Sequence, residues 1–111
     1  MLKQPPSAPG LQRFRAAVDR TYGDRLERVV LFGSRARGDA QPDSDYDIAV
    51  FLHGMNGLTA RMAEVDRLAQ IEADILYDTG EVICALPYPA GFYNDESMPL
   101  MHEIRREGIK L

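Results

Sequence analysis

The chain has 111 residues with 45 % apolar and 27 % charged content, which suits one globular domain with a single modest core. Acids outnumber bases 17 to 13 for a net charge of −4, a balance that argues against broad electrostatic binding of a long nucleic acid duplex. No apolar run approaches the roughly 20 residues of a membrane span, and the opening MLKQPPSAPG has no apolar core of a secretory signal. A single cysteine excludes an internal disulfide and fits a reducing cytoplasm.

Residues 1–9 hold three prolines and little apolar surface, so they read as a flexible tail preceding a domain over 10–111. Leu11, Phe14, Val18 and Tyr22 recur at helical spacing and predict one helix face, with Gly23 ending it. Val29 to Phe32 then form a continuous apolar run bounded by Gly33, the pattern of a central strand buried on both faces. SRARG is too short for a strand and suits a helical turn capped by Ser34. After the turn formers GDAQPDS, the stretch DYDIAVFL alternates Asp45, Asp47, Ala49 and Phe51 against Tyr46, Ile48, Val50 and Leu52.

From Leu58 to about Tyr77, a long amphipathic helix is marked by Leu58, Met62, Val65, Leu68, Ala69, Ile75 and Leu76. Gly80 ends it, and EVICALP reads as a third strand stopped by Pro87 and Pro89. A last helix is expected with Ser97 as cap, Pro99 in its first turn, Leu100, Met101 and Ile104 facing inward, and Gly108 at its end. The expected fold is therefore α+β, a small mixed sheet with helices packed against it.

The chemistry concentrates in LFGSRARGDAQPDSDYDIAVFL, residues 31–52. Gly33 and Gly38 supply the GxxxxG half of a P-loop, but Asp39 and Ala40 stand where its Lys and Ser/Thr are required. Asp43, Asp45 and Asp47 suggest a calcium loop, yet Ile48 and Gly54 occupy its obligatory Gly and Glu positions. A third reading has no broken position. Acids at i and i+2 of a strand share a face, about 7 Å apart at the backbone, and can hold one Mg²⁺ or two about 4 Å apart. Amides of the Gly33-Ser34 turn offer an anion site, and Arg35 or Arg37 can add charge-assisted bonds to phosphate. An Asp-x-Asp pair or a Gly-Ser turn alone is ordinary surface. Their combination on successive strands, with ten residues between, is far more specific.

That combination, GSRARGDAQPDSDYD, resembles the signature of the DNA polymerase β-like nucleotidyltransferase superfamily. The short length and the closing IRREGIKL are similar to the minimal nucleotidyltransferases, many of which are antitoxins paired with helical HEPN toxins. The resemblance implies a polymerase β-like core, with Gly33, Ser34 and Arg35 on the nucleotide triphosphate. It also implies that Asp45 and Asp47 are the catalytic acids and ligands of Mg²⁺. The reaction implied is transfer of a nucleoside monophosphate, AMP from ATP, to a hydroxyl on a partner protein such as a HEPN-type toxin. A binding module that neutralises the partner by covering it is the alternative, and an oligomer is compatible with either.

The superfamily places a third carboxylate on the next core strand, where this chain has Ile83 and Cys84. Glu81 is the candidate substitute, ahead of Asp74 and Asp78 on the preceding helix. Without a third acid the pair still binds Mg-ATP, while transfer slows by the roughly 10²–10⁴-fold that a general base contributes. Cys84 is expected to be a buried structural thiol, and His53 to face solvent. Tyr77, Tyr88 and Tyr93 are expected at the rim of the core, and Arg105, Arg106 and Glu107 on a solvated helix end.

Overall fold

The computed structural model describes residues 4–111. Helix α1 (Pro9–Tyr22) opens on a proline, whose missing N–H costs nothing in a first turn, and buries Leu11, Phe14, Val18 and Tyr22 along one side. Ala8 is also buried, so the packed chain starts just before α1, inside the segment expected to be a tail. Residues 1–3 of that segment lie outside the described residues. Gly23, at φ 53°, turns the chain out of the helix.

Strand β1 (Leu26–Phe32) carries the expected continuous burial at Val29, Val30 and Leu31. It is central, with strand β2 (Tyr46–Leu52) antiparallel on one side and the two-residue strand β4 (Ile109–Lys110) antiparallel on the other. Strand β3 (Ile83–Pro89) lies parallel to β2, giving the order β3-β2-β1-β4. The turn α2 (Ser34–Arg37) links β1 to β2. Helix α3 (Gly57–Thr79) makes the crossover that a parallel β2-β3 pair demands.

The sheet has two unlike faces. Val29, Leu31, Ile48, Val50, Leu52, Ile83 and Ala85 point toward α1 and α3 and form the larger core with Phe14, Val18, Leu68 and Ile75. Val30, Ala49, Phe51 and Tyr88 point the other way and meet helix α4 (Pro99–Glu107) through Met101 and Ile104.

Several expectations are corrected. Helix α3 buries Leu68 and Ile75 with Glu64, whereas Leu58, Met62 and Leu76 are exposed. Its apolar residues form two stripes, and only one packs. Buried Glu64 is paired with Arg25 at 2.8 Å, which offsets the desolvation of its charge.

Pro87 and Pro89 do not stop β3 but lie within it. β3 is an edge strand, and Tyr46 N–H bonding to Val82 O and Ala90 N–H to Leu52 O fix its even-numbered backbone toward β2. Odd-numbered residues therefore face outward, where a proline lacks only a donor the sheet does not use. Of that outward backbone, Glu72 accepts from Ala85 N–H at 2.8 Å and Arg61 donates to Pro87 O. The edge is thereby closed to further pairing.

Helix α4 has Met98, not Ser97, at its N-cap, and Ser97 instead donates through its amide and hydroxyl to Asp95. Leu100, expected inward, is 39 % exposed. Gly108 is needed for space, because a Cβ there would overlap the Ile104 carbonyl and the Val30 side chain. The chain then returns along β1 as β4, an element not anticipated. Tyr77 is fully on the surface, Tyr88 is buried in the core against Phe51 rather than at its rim, and Tyr93 packs on Phe51 as a rim residue. His53 is exposed, as expected. No described helix is long and apolar enough to cross a membrane.

Candidate active site

The register of β1 with β2 places Phe32 beside Asp47, so the residue that follows β1 turns directly over that acid. Gly33 adopts φ 75°, and a Cβ at this position would lie 2.5 Å from Asp47 Oδ2. Both the backbone conformation and the space require glycine. The Gly33 carbonyl accepts the amides of Ala36 and Arg37, each at 3.0 Å, and Gly38 closes the turn at φ 88°. Ser34 is the first residue of α2 rather than its cap, and its side chain makes no capping bond. The amides of Ser34 and Arg35 lead the turn with no carbonyl one turn earlier to bond within it.

Asp47, partly buried, is the second residue of β2, and Asp45, exposed, stands immediately before the strand. Burial raises the Asp47 carboxyl above its ordinary range, the neighbouring Asp45 charge adds to this, and Arg37 opposes it. Two carboxylates held against each other's charge suit a divalent cation, with phosphate oxygens and water completing the shell of a hard ion such as Mg²⁺. Among the described residues, no group of three or more His, Cys, Asp or Glu side chains is placed to hold a metal.

The two arginines of the turn divide. Arg35 donates to the carbonyls of Pro42 and Ser44 and stacks 4.5 Å over the Tyr46 ring. Tyr46 faces the side of β2 opposite Asp47. Arg35, expected on phosphate, thus pins the loop that leads into the acids from behind. Arg37 lies on the acid side, within 3.1 Å of Asp39 and 3.3 Å of Glu107. Residues two apart in a helical turn point about 200° away from each other, so only one can face the acids. That one is Arg37.

Across from Asp47 on β3 stands a thiol rather than a third carboxylate. Glu81 precedes β3, accepts the Gly10 amide at 2.7 Å and lies against Tyr46, behind the sheet from Asp47. It secures the start of α1 and does not face the acid pair. Asp78 pairs with Arg13, and Asp74 lines the groove between α1 and α3. Cys84 is the residue directly across from Asp47 and on the same face. It is exposed, contrary to the buried thiol expected, because α4 does not extend over this end of β3. Partial desolvation raises the thiol, and Asp47, Glu72 and Asp45 reinforce the shift through their charge, so it remains protonated at neutral pH. Ile83 is buried on the other face.

The nucleotidyltransferase domain model matches residues 11–97, most of the chain, a span that includes the Gly33-Ser34 turn, Arg37, Asp45, Asp47 and Cys84. This chain belongs to that family. A candidate protein adenylyltransferase of Methanocaldococcus jannaschii is 38 % identical over 45 residues, covering 40 % of this chain and 46 % of the relative. The alignment thus spans less than half of that relative's length. Among solved structures, a candidate nucleotidyltransferase from Sulfolobus solfataricus superposes with a TM-score of 0.57 at 18 % identity, over 97 % of this chain and 90 % of that one. A toxin–antitoxin structure with AMP-PNP gives 0.58 at 18 % identity, over 89 % and 70 %. At such identity these two establish a shared α+β nucleotidyltransferase fold.

Proposed function

We propose that this protein is a Mg²⁺-dependent nucleotidyltransferase that moves AMP from ATP to a hydroxyl on a partner protein. The observation that carries the reading is the contact of the phosphate turn with the acid pair. Gly33 packs on Asp47 so closely that nothing but hydrogen fits, so a triphosphate on the Ser34 side and a cation on the carboxylates would be neighbours.

In this reading Asp45 and Asp47 hold Mg²⁺, which when bound supplies charge neutralisation at the α-phosphate and orients the attacking hydroxyl. The amides of Ser34 and Arg35 and the Ser34 hydroxyl receive phosphate oxygens, and the Arg37 guanidinium, on the same side as the acids, takes others. The Arg35 side chain acts one step back, holding the Pro42–Ser44 loop so that Asp45 and Asp47 keep their spacing. The new bond joins the acceptor oxygen to the α-phosphorus; the bond to the bridging oxygen breaks and pyrophosphate leaves with the electron pair. The acceptor proton passes to solvent or to an acid of the pair, since Cys84 is already protonated. A toxin as the acceptor, with this chain as its antitoxin, is supported by the toxin–antitoxin structure with AMP-PNP among the structural neighbours; that the toxin is of the HEPN type and that the pair acts in the cytoplasm are parts of the same proposal.

A second reading is favoured by Cys84: a module that covers a helical partner, with catalysis weak or lost. Incubating the protein with labelled ATP, Mg²⁺ and the product of the neighbouring gene separates the two. Transfer abolished by Asp47→Asn supports the enzyme. If the wild type transfers no label yet still protects cells from the partner, the module reading replaces it. Cys84→Asp returns a carboxylate opposite Asp47 and is expected to raise transfer by up to about 10²-fold, the lower end of what a positioned base contributes.

A further inference from the structure

Glu107, the last residue of α4, was expected on a solvated helix end, yet its side chain is only 11 % exposed. Its Oε1 accepts the Gly33 N–H at 3.1 Å, and its carboxylate lies 3.3 and 3.4 Å from Arg37 Nη1. One side chain therefore grips both the glycine of the phosphate turn and the arginine that faces the acids. Its own backbone has little freedom. Gly108 N–H bonds to Ile104 O at 2.8 Å, and Ile109 and Lys110 pair with β1 immediately afterwards.

We infer that Glu107 is a positioning residue for nucleotide phosphate: it sets the Gly33-Ser34 turn and aims Arg37 across it. The inference rests on the nucleotide site proposed above. The two contacts fix different things. The hydrogen bond from its N–H holds Gly33 at φ 75° over Asp47, so the Ser34 and Arg35 amides keep their direction. The ion pair adds a second restraint, beside Asp39 at 3.1 Å, to a long, half-exposed guanidinium, reducing the rotamer freedom lost when phosphate arrives. Glu107 itself carries the wrong charge to bind phosphate, so its effect passes through its two partners. The C-terminal β4 strand then has a role in the site, since it fixes the end of α4 from which Glu107 reaches.

The test is calorimetric titration of Mg-ATP and of AMP into the full chain, for wild type, Glu107→Gln and Glu107→Ala, with thermal unfolding of each. Gln keeps an acceptor for the Gly33 amide and loses the charge facing Arg37; Ala loses both. Mg-ATP affinity is expected to fall about tenfold for Ala and about threefold for Gln, the scale of a misplaced charged hydrogen bond. AMP affinity should change by less than about twofold, because AMP has no β- or γ-phosphate for Arg37 and the turn to align. Equal losses for ATP and AMP would reveal a merely structural residue and overturn the inference. Unchanged or tighter ATP binding in both variants would overturn it too, the latter showing that Glu107 competes with phosphate. Should Ala fail to fold, Gln alone decides. Wild type that binds no Mg-nucleotide overturns the nucleotide site and the inference together, whereas wild-type binding with insensitive variants sinks the inference alone.

Discussion

The two faces of the sheet are built from the same strands and end up with opposite fates. On the α1/α3 face, Tyr46, Ile48, Val50 and Leu52 of β2 are all buried under helices. On the other face the same strand runs from Asp45 and Asp47 to Ala49 and Phe51, and α4 covers only the apolar half. The candidate site is the half-face left uncovered. A carboxylate pair is tolerable there because solvent reaches it, and under the proposed function it is useful because the amides of the adjoining glycine turn would meet phosphate at the same edge. Stability is thus concentrated on one face and chemistry at one end of the other.

The largest effect that tests this division is loss of core on the packed face. Phe14 is fully buried between α1 and the sheet, and Phe14→Ala should cost about 3–5 kcal/mol in denaturant unfolding, a large share of a small domain's stability. On the other face, Leu86→Ser should cost only about 1 kcal/mol, because Leu86 is already 38 % exposed. A comparable loss at both positions would show that the second face matters as much to stability as the first.

Next in size is the junction between phosphate turn and acid. Gly33→Ala meets two obstacles, a φ of 75° and an overlap with Asp47 Oδ2, and should cost about 1–3 kcal/mol with loss of Mg-ATP binding. The two parts separate in a double-mutant cycle. In an Asp47→Ala background the overlap disappears and only the conformational part of that cost should remain. If Gly33→Ala is equally harmful in both backgrounds, the turn and the acid are not in the contact described.

How much of this the sequence revealed follows from the range of each signal. Alternation in DYDIAVFL put both acids on one face, and helical spacing put Leu11, Phe14, Val18 and Tyr22 on one side of α1, because period and burial agree there. Where they part, reading failed. ICALPYP looks buried throughout, but the helix that would cover Cys84 and Leu86 stops short, a fact of tertiary packing with no local trace. Pro87 and Pro89 resemble strand breakers unless β3 is known to be an edge strand. Arg35 and Arg37 are equally basic neighbours, and only the phase of a single helical turn decides which one faces the acids. Glu107 lies 70 residues beyond Arg37, and β4 is two residues long, too short for any period to show.

The smallest effect is a gain. The Asp47 carboxyl is raised in the folded protein by burial first and by the Asp45 charge second. Its unfolded value is ordinary, about 3.9. The folded state therefore binds this proton more tightly than the unfolded one. The stability it contributes is complete below the ordinary value and is lost as pH rises through the folded value. At neutral pH the ionised Asp47 works against folding, and Asp47→Asn, which is uncharged and nearly isosteric, should melt slightly higher than wild type. The difference should narrow as pH falls toward the ordinary carboxylate range, where wild type also becomes neutral at this position. Mg²⁺ with nucleotide should reverse the order at neutral pH by stabilising wild type alone, since a ligand that binds only the folded state raises its melting temperature. A variant that melts lower than wild type at neutral pH in the absence of metal would mean that Asp47 is held by attraction rather than by strain, and that the acid pair is part of the scaffold after all.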